Sequence, residues 1–505
     1  MFRPAHGRGA ERCYHGNAGL PQDRAAACRS ELPMSFQTPP SRRRRGLPGA
    51  LLGVVCIASA LGGGLLVQRT ARAGADAGSI NPHPVQLRLP PIAPLSAVAR
   101  LGKALFFDPM LSGSGRQSCA SCHSPAFGYN PPNALIVQPG GAHLQQAGFR
   151  SPPSLAYLYR QPPFSIGPDV GDVDVPVDLN AVAAAVRSQR RASKAAGVTP
   201  RQAPMVGQGG LFWDGRADSL QRQAILPMLS PVEMANTSVA AVATKLAHSR
   251  YRPSFVQLFG DGVVGDPAQL VDEAMFAIGR FEIEDPSFHL FTSKYDAWLQ
   301  GRARLTPAEQ RGLALFNDPH KGNCAACHLS RPTRDGLPPL FTDAQYEALG
   351  VPRNPALAAN RDPRFYDMGL CGPFRKDLAK QTQYCGMFLT PTLRNVDRRR
   401  VFFHNGVYRT LKQVLDFYNL RAVEPQKIYP SGANGVLAID NDLPTAYHAN
   451  IDTADAPFDR RVGESPPLSD RDIDDIIAFL HTLDDGYSSR TPLVEARVHV
   501  PPAGR

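Results

Sequence analysis

The 505-residue chain has little of the alternation that marks half-buried strands, only two tryptophans, and almost no net charge beyond its first 73 residues. Scarce alternation argues against a sheet-built fold and for helices joined by long irregular loops, which the 48 prolines also favour. The formal charge of +11 suggests a nucleic-acid binder until it is located. Residues 1–73 hold 11 Lys+Arg against 3 Asp+Glu, or +8, and the remainder holds 44 against 41, or +3. The basic excess therefore belongs to the leader, and no nucleic-acid partner is expected for the body. Cysteine is sparse too, at nine, and three of these (Cys13, Cys28 and Cys56) lie in the leader.

Four of the other cysteines stand in two pentapeptides, Cys119-Ala-Ser-Cys122-His123 and Cys324-Ala-Ala-Cys327-His328. Two cysteines with two residues between them and a histidine directly after form the attachment site of a c-type haem. The spacing has a physical reason. Two thiols must reach two vinyl groups on one porphyrin edge, and the adjacent imidazole must swing under the ring to bind iron. A zinc site or a redox dithiol also uses Cys-x-x-Cys, but neither has reason to carry a histidine at the same offset twice. The sequence thus predicts two covalently bound haem c groups, attached at Cys119, Cys122, Cys324 and Cys327, with His123 and His328 as iron ligands.

The leader suits such a cargo. Arg42 to Arg45 form a basic run, Leu47 to Val67 is almost wholly apolar, and Ala71-Arg72-Ala73 reads as a cleavage signal. Met34 is a more natural start than Met1. The apolar run is also about the roughly 20 residues a membrane anchor needs, so membrane association is expected only if the leader stays uncleaved. Either way the body is expected outside the cytoplasm, in the periplasm. Cys371 and Cys385 are then expected to pair as a disulfide, worth about 3 kcal/mol in the chain-entropy model.

An internal repeat organises the body. Leu101-Gly-Lys-Ala-Leu-Phe-Phe-Asp108-Pro109 matches Arg311-Gly-Leu-Ala-Leu-Phe-Asn-Asp318-Pro319, and a pentapeptide begins ten residues after Pro109 and five after Pro319. Val98, Leu101 and Leu105 predict a helix before the first pentapeptide. Thr306, Pro307 and Glu309 predict a capped helix start before the second. Ser469 predicts the cap of a last helix with Ile473, Ile476, Ile477 and Leu480 on one face. Residues 271–298 read as another helical region, broken near Asp285-Pro286. The expected fold is mainly α, with two tandem cytochrome c-like haem domains and long irregular loops. Its expected parts are an extension with signal or anchor (1–73), a linker (74–94), a first haem domain (95–300), a second (301–490) and a tail (491–505).

Over roughly residues 95–490 the chain resembles the bacterial di-haem cytochrome c peroxidases, and within them the MauG-like branch. The resemblance rests on LGKALFFDPMLS, FWDGRADSLQRQAILPMLSPVEM, LTPAEQRGLALF, TPTLRNV and FFHNGVYRTLKQVLDFYN. It implies that Trp213 relays electrons between the haems, and that Gln223, Pro227 and Glu233 line a peroxide pocket at the first haem. Glu233 is expected to shuttle the peroxide proton, with burial tuning it for that task. It further implies His143, seven residues before Arg150, as a displaceable ligand of the first haem. Tyr418, fourteen residues after His404, takes the place of the second haem's sixth ligand, with Met368 and Met387 as competitors. A phenolate there would stabilise Fe(III) and higher states, where a thioether raises the potential. The family's calcium positions are Ser151, Arg399 and Val401 here, inside a run of arginines, so calcium is doubtful.

The expected function is reduction of hydrogen peroxide to water, with electrons from a small cytochrome c or a cupredoxin. A MauG-like oxidase acting on a partner protein is the alternative enzyme, and a non-enzymatic di-haem electron carrier is the alternative outside catalysis. A homodimer is one admissible assembly.

Overall fold

A computed structural model of the chain describes residues 78–168, 205–432 and 435–488. The leader, the first residues of the linker and the C-terminal tail lie outside them. No helix of the described residues is long and apolar enough to cross a membrane.

The described chain is mainly helical. Its helices longer than a single turn are α1 (Ala97–Phe107), α2 (Leu220–Leu229), α3 (Val239–Ala247), α4 (Arg252–Phe259), α5 (Pro267–Glu284), α6 (Lys294–Leu299), α7 (Pro307–Asn317), α8 (Leu411–Leu420) and α9 (Asp470–Leu480). Six strands of two to four residues form three antiparallel ribbons, β1–β2 (Pro139–Gly140 with Gln146–Ala147), β3–β4 (Ser165–Pro168 with Met205–Gln208) and β5–β6 (Tyr346–Glu347 with Phe388–Leu389). Between α7 and α8 the only helical segments are 3₁₀ turns of three or four residues.

Local chemistry sets the helix ends. The Ser96 side chain caps α1, and Asp266 with Pro267 opens α5. Capping boxes start α7 at Thr306–Glu309 and α9 at Ser469–Asp472. The Asp285-Pro286 break expected in the 271–298 region ends α5 and separates it from α6.

Two helix crossings carry the two main cores. In one, α1 lies across α5, and Leu101, Leu105 and Phe106 meet Ala277, Ile278 and Phe281 in one apolar cluster. In the other, α7 lies across α9, and Phe316 joins Ile473, Ile476 and Phe479. The repeat places equivalent residues at both crossings. Phe106 meets Phe281 edge-on at 5.4 Å, and Phe316 meets Phe479 edge-on at 5.2 Å. Gly102 and Gly312 mark the points of closest approach, where a Cβ would collide with the carbonyl oxygens of Ala277 and Asp475. Glycine stands there because the helix backbones touch.

A buried ion pair ties α6 to the second half of the chain. Arg394 donates to both oxygens of Asp296 at 2.9 and 2.8 Å, and both side chains are almost fully buried. The Cys371–Cys385 disulfide closes a loop beside β6.

Gly312→Ala should lower unfolding free energy by about 1–3 kcal/mol, the usual cost of overpacking. Gly262→Ala, whose added Cβ would meet nothing within 4 Å, should stay within about 0.5 kcal/mol of the parent. Urea midpoints of the two variants test this, and equal midpoints would show that the crossing has slack.

Candidate functional site

Each pentapeptide folds as a short helical turn. Cys119–Cys122 makes one turn, with Ser118 and Ser121 forming its capping box, and Cys324–Ala326 makes a 3₁₀ turn entered through Asn323 in the left-handed region. In both, the histidine amide donates to the carbonyl of the first cysteine, at 2.9 Å for His123 and 2.8 Å for His328. These tight turns bring two thiols and one imidazole to a single wall. Cys119, Cys122 and His123 line one cavity, and Cys324, Cys327 and His328 line a second, larger one.

His123 Nδ1 lies 3.3 Å from the Tyr129 carbonyl oxygen, and His328 Nδ1 lies 2.9 Å from that of Phe341. A carbonyl can only accept, so Nδ1 carries the proton in both rings and Nε2 keeps its lone pair for a metal. Burial pushes both imidazoles down to about 4, which keeps them neutral. Paired thiols, a free imidazole nitrogen and mostly apolar walls are the donor set a c-type haem requires. The residues of both cavities fit such a group.

In the first cavity, Gln223 and Pro227 stand one helical turn apart on α2 and line the wall with Glu233. Pro227 sits inside the helix without an N–H to give, and its carbonyl accepts from Met234 at 3.1 Å, folding the chain into the turn that carries Glu233. That turn is clamped from the other side. Gly141 N–H donates to the Glu233 carbonyl at 2.8 Å, and a Cβ on Gly140 would collide with the carbonyl of Val232. The Glu233 side chain itself is exposed, which corrects the expectation of a buried carboxylate. His143 is not brought to this cavity. It stands exposed on the turn between β1 and β2, beside Leu144 in the left-handed region. The cavity wall resumes only at Gly148. An axial role for His143 would require this hairpin to open.

Trp213 lines both cavities and is 7% exposed. Its Nε1 donates to the Ser151 carbonyl at 2.7 Å, and its own carbonyl accepts from Leu389 at 3.0 Å. Next to it, Asp214 accepts from Arg150 at 2.7 Å and from Arg216 at 2.8 Å. Burial alone would raise the Asp214 carboxyl, but the two guanidiniums hold it below its ordinary value. Arg150 also grips both oxygens of Asp367 at 2.7 Å. Trp298 instead packs half-buried on the second core, stacked on Tyr295 at 5.5 Å.

In the second cavity, Leu411, Val414, Leu415 and Tyr418 present one face of α8 to the wall. Tyr418 stacks on Phe458 at 5.5 Å, and burial pushes its phenol well above the ordinary value. Met368 and Met387 do not line this cavity; they pack with Ala348, Leu443 and Ile451. His404 lines it as well, stacked 3.6 Å from the Phe388 ring and 3.3 Å from Asp442 Oδ2. Ser151, Arg399 and Val401 come together between the cavities, with the Arg399 guanidinium among their oxygens.

One wall residue escaped the sequence reading. Glu282 on α5 lines the first cavity, is 3% exposed, and leaves Oε2 without a partner. Its signal was there, since position 282 lies one turn after Ile278 on the buried stripe of α5.

A family profile described as di-haem cytochrome c peroxidase matches residues 96–304. The methylamine utilization protein MauG of Paracoccus denitrificans is 34% identical over 330 residues, spanning 64% of this chain and 74% of that protein. The cytochrome c551 peroxidase of Nitrosomonas europaea is 29% identical over 342 residues, spanning 65% and 76%. Among solved structures, the diheme peroxidase BthA of Burkholderia thailandensis superposes with a TM-score of 0.64 at 34% identity, covering 81% of this chain and 95% of that one.

Burial raises the Glu282 carboxyl from 4.5 to about 8. Between those values the folded chain holds a proton that the unfolded chain has lost, so this group makes stability fall as pH rises from about 4.5 to 8. Glu282→Gln should remove that slope. The difference in unfolding free energy between parent and variant, followed against pH, should grow in the variant's favour up to pH 8 and then level. A difference independent of pH would refute the assignment.

Proposed function

The chain belongs to the di-haem cytochrome c peroxidase family, and from that premise we propose that it is an exported c-type di-haem peroxidase reducing hydrogen peroxide to water. As a member of this family it is an oxidoreductase with two haems. The finer reading assigns one haem to each cavity, and so a tandem pair of cytochrome c-like domains at 95–300 and 301–490. The thioether links would form at Cys119, Cys122, Cys324 and Cys327, and the iron would be held by His123 and His328. The observation that carries the proposal is Trp213, whose single indole lines both cavities and is fixed through Nε1. A rigid oxidisable ring shared by two cofactor sites suits electron passage between them.

Bound haem iron would supply the redox chemistry that splits the O–O bond. Glu233 is the carboxylate on the first cavity wall that can take a proton from one peroxide oxygen and return it to the leaving one. The Gln223 amide offers a neutral hydrogen bond to orient peroxide, and Pro227 adds an apolar wall that donates nothing. Conversion of peroxide to two waters takes two electrons, which a small cytochrome c or a cupredoxin would supply, and two protons. His143 stands outside the cavity, so its displacement is no part of the proposal. Calcium is no part of the proposal. The periplasm is the proposed compartment, supported by the leader and by the Cys371–Cys385 disulfide.

A second reading, oxidation of a partner protein as an alternative to turnover with a donor, is favoured by one observation. Tyr418 lines the second cavity and the two candidate methionines do not. A phenolate ligand would let that haem hold oxidising equivalents instead of passing electrons inward.

Glu233→Gln should keep both haems and lose about 10²–10⁴ in kcat/KM for peroxide, the range removed with a general acid–base group. Steady-state assays with a reduced small cytochrome c measure this, and full activity in the variant would sink Glu233's role. Parallel spectra separate the ligands. His143→Ala should leave the EPR of the ferric protein as isolated unchanged, whereas Tyr418→Phe should alter the low-spin signal of the second haem. The reverse pattern would require His143 in the first coordination sphere.

A further inference from the structure

Two buried arginines near the cavities are paired with carboxylates, and the half-buried Arg399 is not. Arg150 meets Asp214 and Asp367, and Arg394 meets Asp296. Arg399 meets only neutral oxygens. Its Nε donates to the Val401 carbonyl at 3.2 Å, its Nη1 to Asn130 Oδ1 at 2.8 Å and to the Pro152 carbonyl at 3.2 Å, and its Nη2 to Ser151 Oγ at 3.2 Å. Those four bonds use four of the five guanidinium hydrogens and leave one on Nη2. Burial without an opposing charge pushes this guanidinium down to about 10. A half-buried guanidinium that meets only neutral oxygens and keeps one free N–H is a ready partner for an anionic ligand.

Arg399 lines the second cavity, and the anionic part of a haem is its pair of propionate carboxylates. We propose that Arg399 is the fixed cation of the seam, pairing with a propionate of the haem held by His328 and positioning the Trp213 bridge through Ser151. Its other contacts fit that task. Asn130 directly follows Tyr129, whose carbonyl holds the His123 ring, and Ser151 supplies the carbonyl that holds the Trp213 indole. One planar fork thus joins the ligand loop of the first haem, the bridge and the second cavity. Lysine could supply the charge but could not span these acceptors.

Two haem loading is a family property, so the electrostatic part of this inference does not depend on peroxide turnover. Only the positioning part rests on Trp213 as the bridge. The test compares Arg399→Gln with Arg399→Lys in the full di-haem protein, by redox titration of each haem and by the rate of electron exchange between haems after rapid partial reduction. Removing a positive charge favours ferric iron, so the Gln variant should show a lower potential at the second haem and a smaller fall at the first. The Lys variant should recover most of the potential yet keep the slower exchange. Unchanged potentials in a Gln variant that retains both haems would overturn the proposal. If the Gln variant loses haem, the Lys variant decides alone, and exchange at the parental rate would then overturn it. Full peroxide turnover in Glu233→Gln with normal potentials would mark a separate failure, confined to the acid–base reading of the first cavity.

Discussion

Ser151 is the residue on which the rest of the site depends. It is fully buried, its N–H donates to the His404 carbonyl at 2.7 Å, and its carbonyl accepts from Trp213 at 2.7 Å. Beside it, Arg150 pairs with Asp214, so residues 150–151 and 213–214 are joined by an ion pair and a hydrogen bond in adjacent positions. Leaving either buried partner unpaired would cost about 1–3 kcal/mol, more where a charge is involved. That penalty holds the indole in one place between two cavities. The bridging role proposed for Trp213 requires a ring that does not wander, and its position is set by backbone carbonyl and N–H groups, which have no rotamers to sample.

Around that node the protein is short of regular structure. Two helix crossings supply the cores, and the long segment from α7 to α8 contains only 3₁₀ turns and single strand pairs. Such loops persist because specific contacts fix them: Arg394 with Asp296, Tyr157 with Asp485 at 2.6 Å, and the Cys371–Cys385 disulfide. The cavity walls are themselves part of the cores, since Phe106, Phe316, Ile278 and Ile476 serve both. A porphyrin seated there would pack on the same side chains that pair the helices, so haem and helix crossing would bury one shared apolar surface.

What was legible in the sequence was local or repeated. Capping residues at Thr306 and Ser469, the break at Asp285-Pro286 and the pentapeptides are short-range patterns, and the structure forms each turn and helix where the pattern lies. The distant pairings left no such trace. Arg150 and Asp367 are 217 residues apart, and nothing in either neighbourhood announces the other. Side-chain exposure was equally hidden. Glu233 and His143 sit near polar, glycine-containing turns, and only the β1–β2 hairpin and the Gly140 contact decide that one lines the cavity and the other does not. Glu282 was overlooked for the opposite reason, because it is one of four acidic residues on α5, with Asp272, Glu273 and Glu284, and reads as solvated like them until the fold buries it.

The repeat also explains why the two haem sites differ. It copies the side of each site that holds the histidine: Gly102 and Gly312 at the crossings, Phe106 and Phe316 in the cores, and Nδ1 of His123 and His328 on backbone carbonyls. The remaining walls are not copied. The first cavity is completed by α2 and the turn bearing an exposed Glu233, and the second by α8 with Tyr418 and a buried His404. One wall offers a carboxylate that can exchange protons with solvent. The other offers a half-buried phenol and a buried imidazole. Identical attachment chemistry can therefore serve the unequal tasks proposed for the two sites, because the chemical differences between them lie in the walls the repeat does not share.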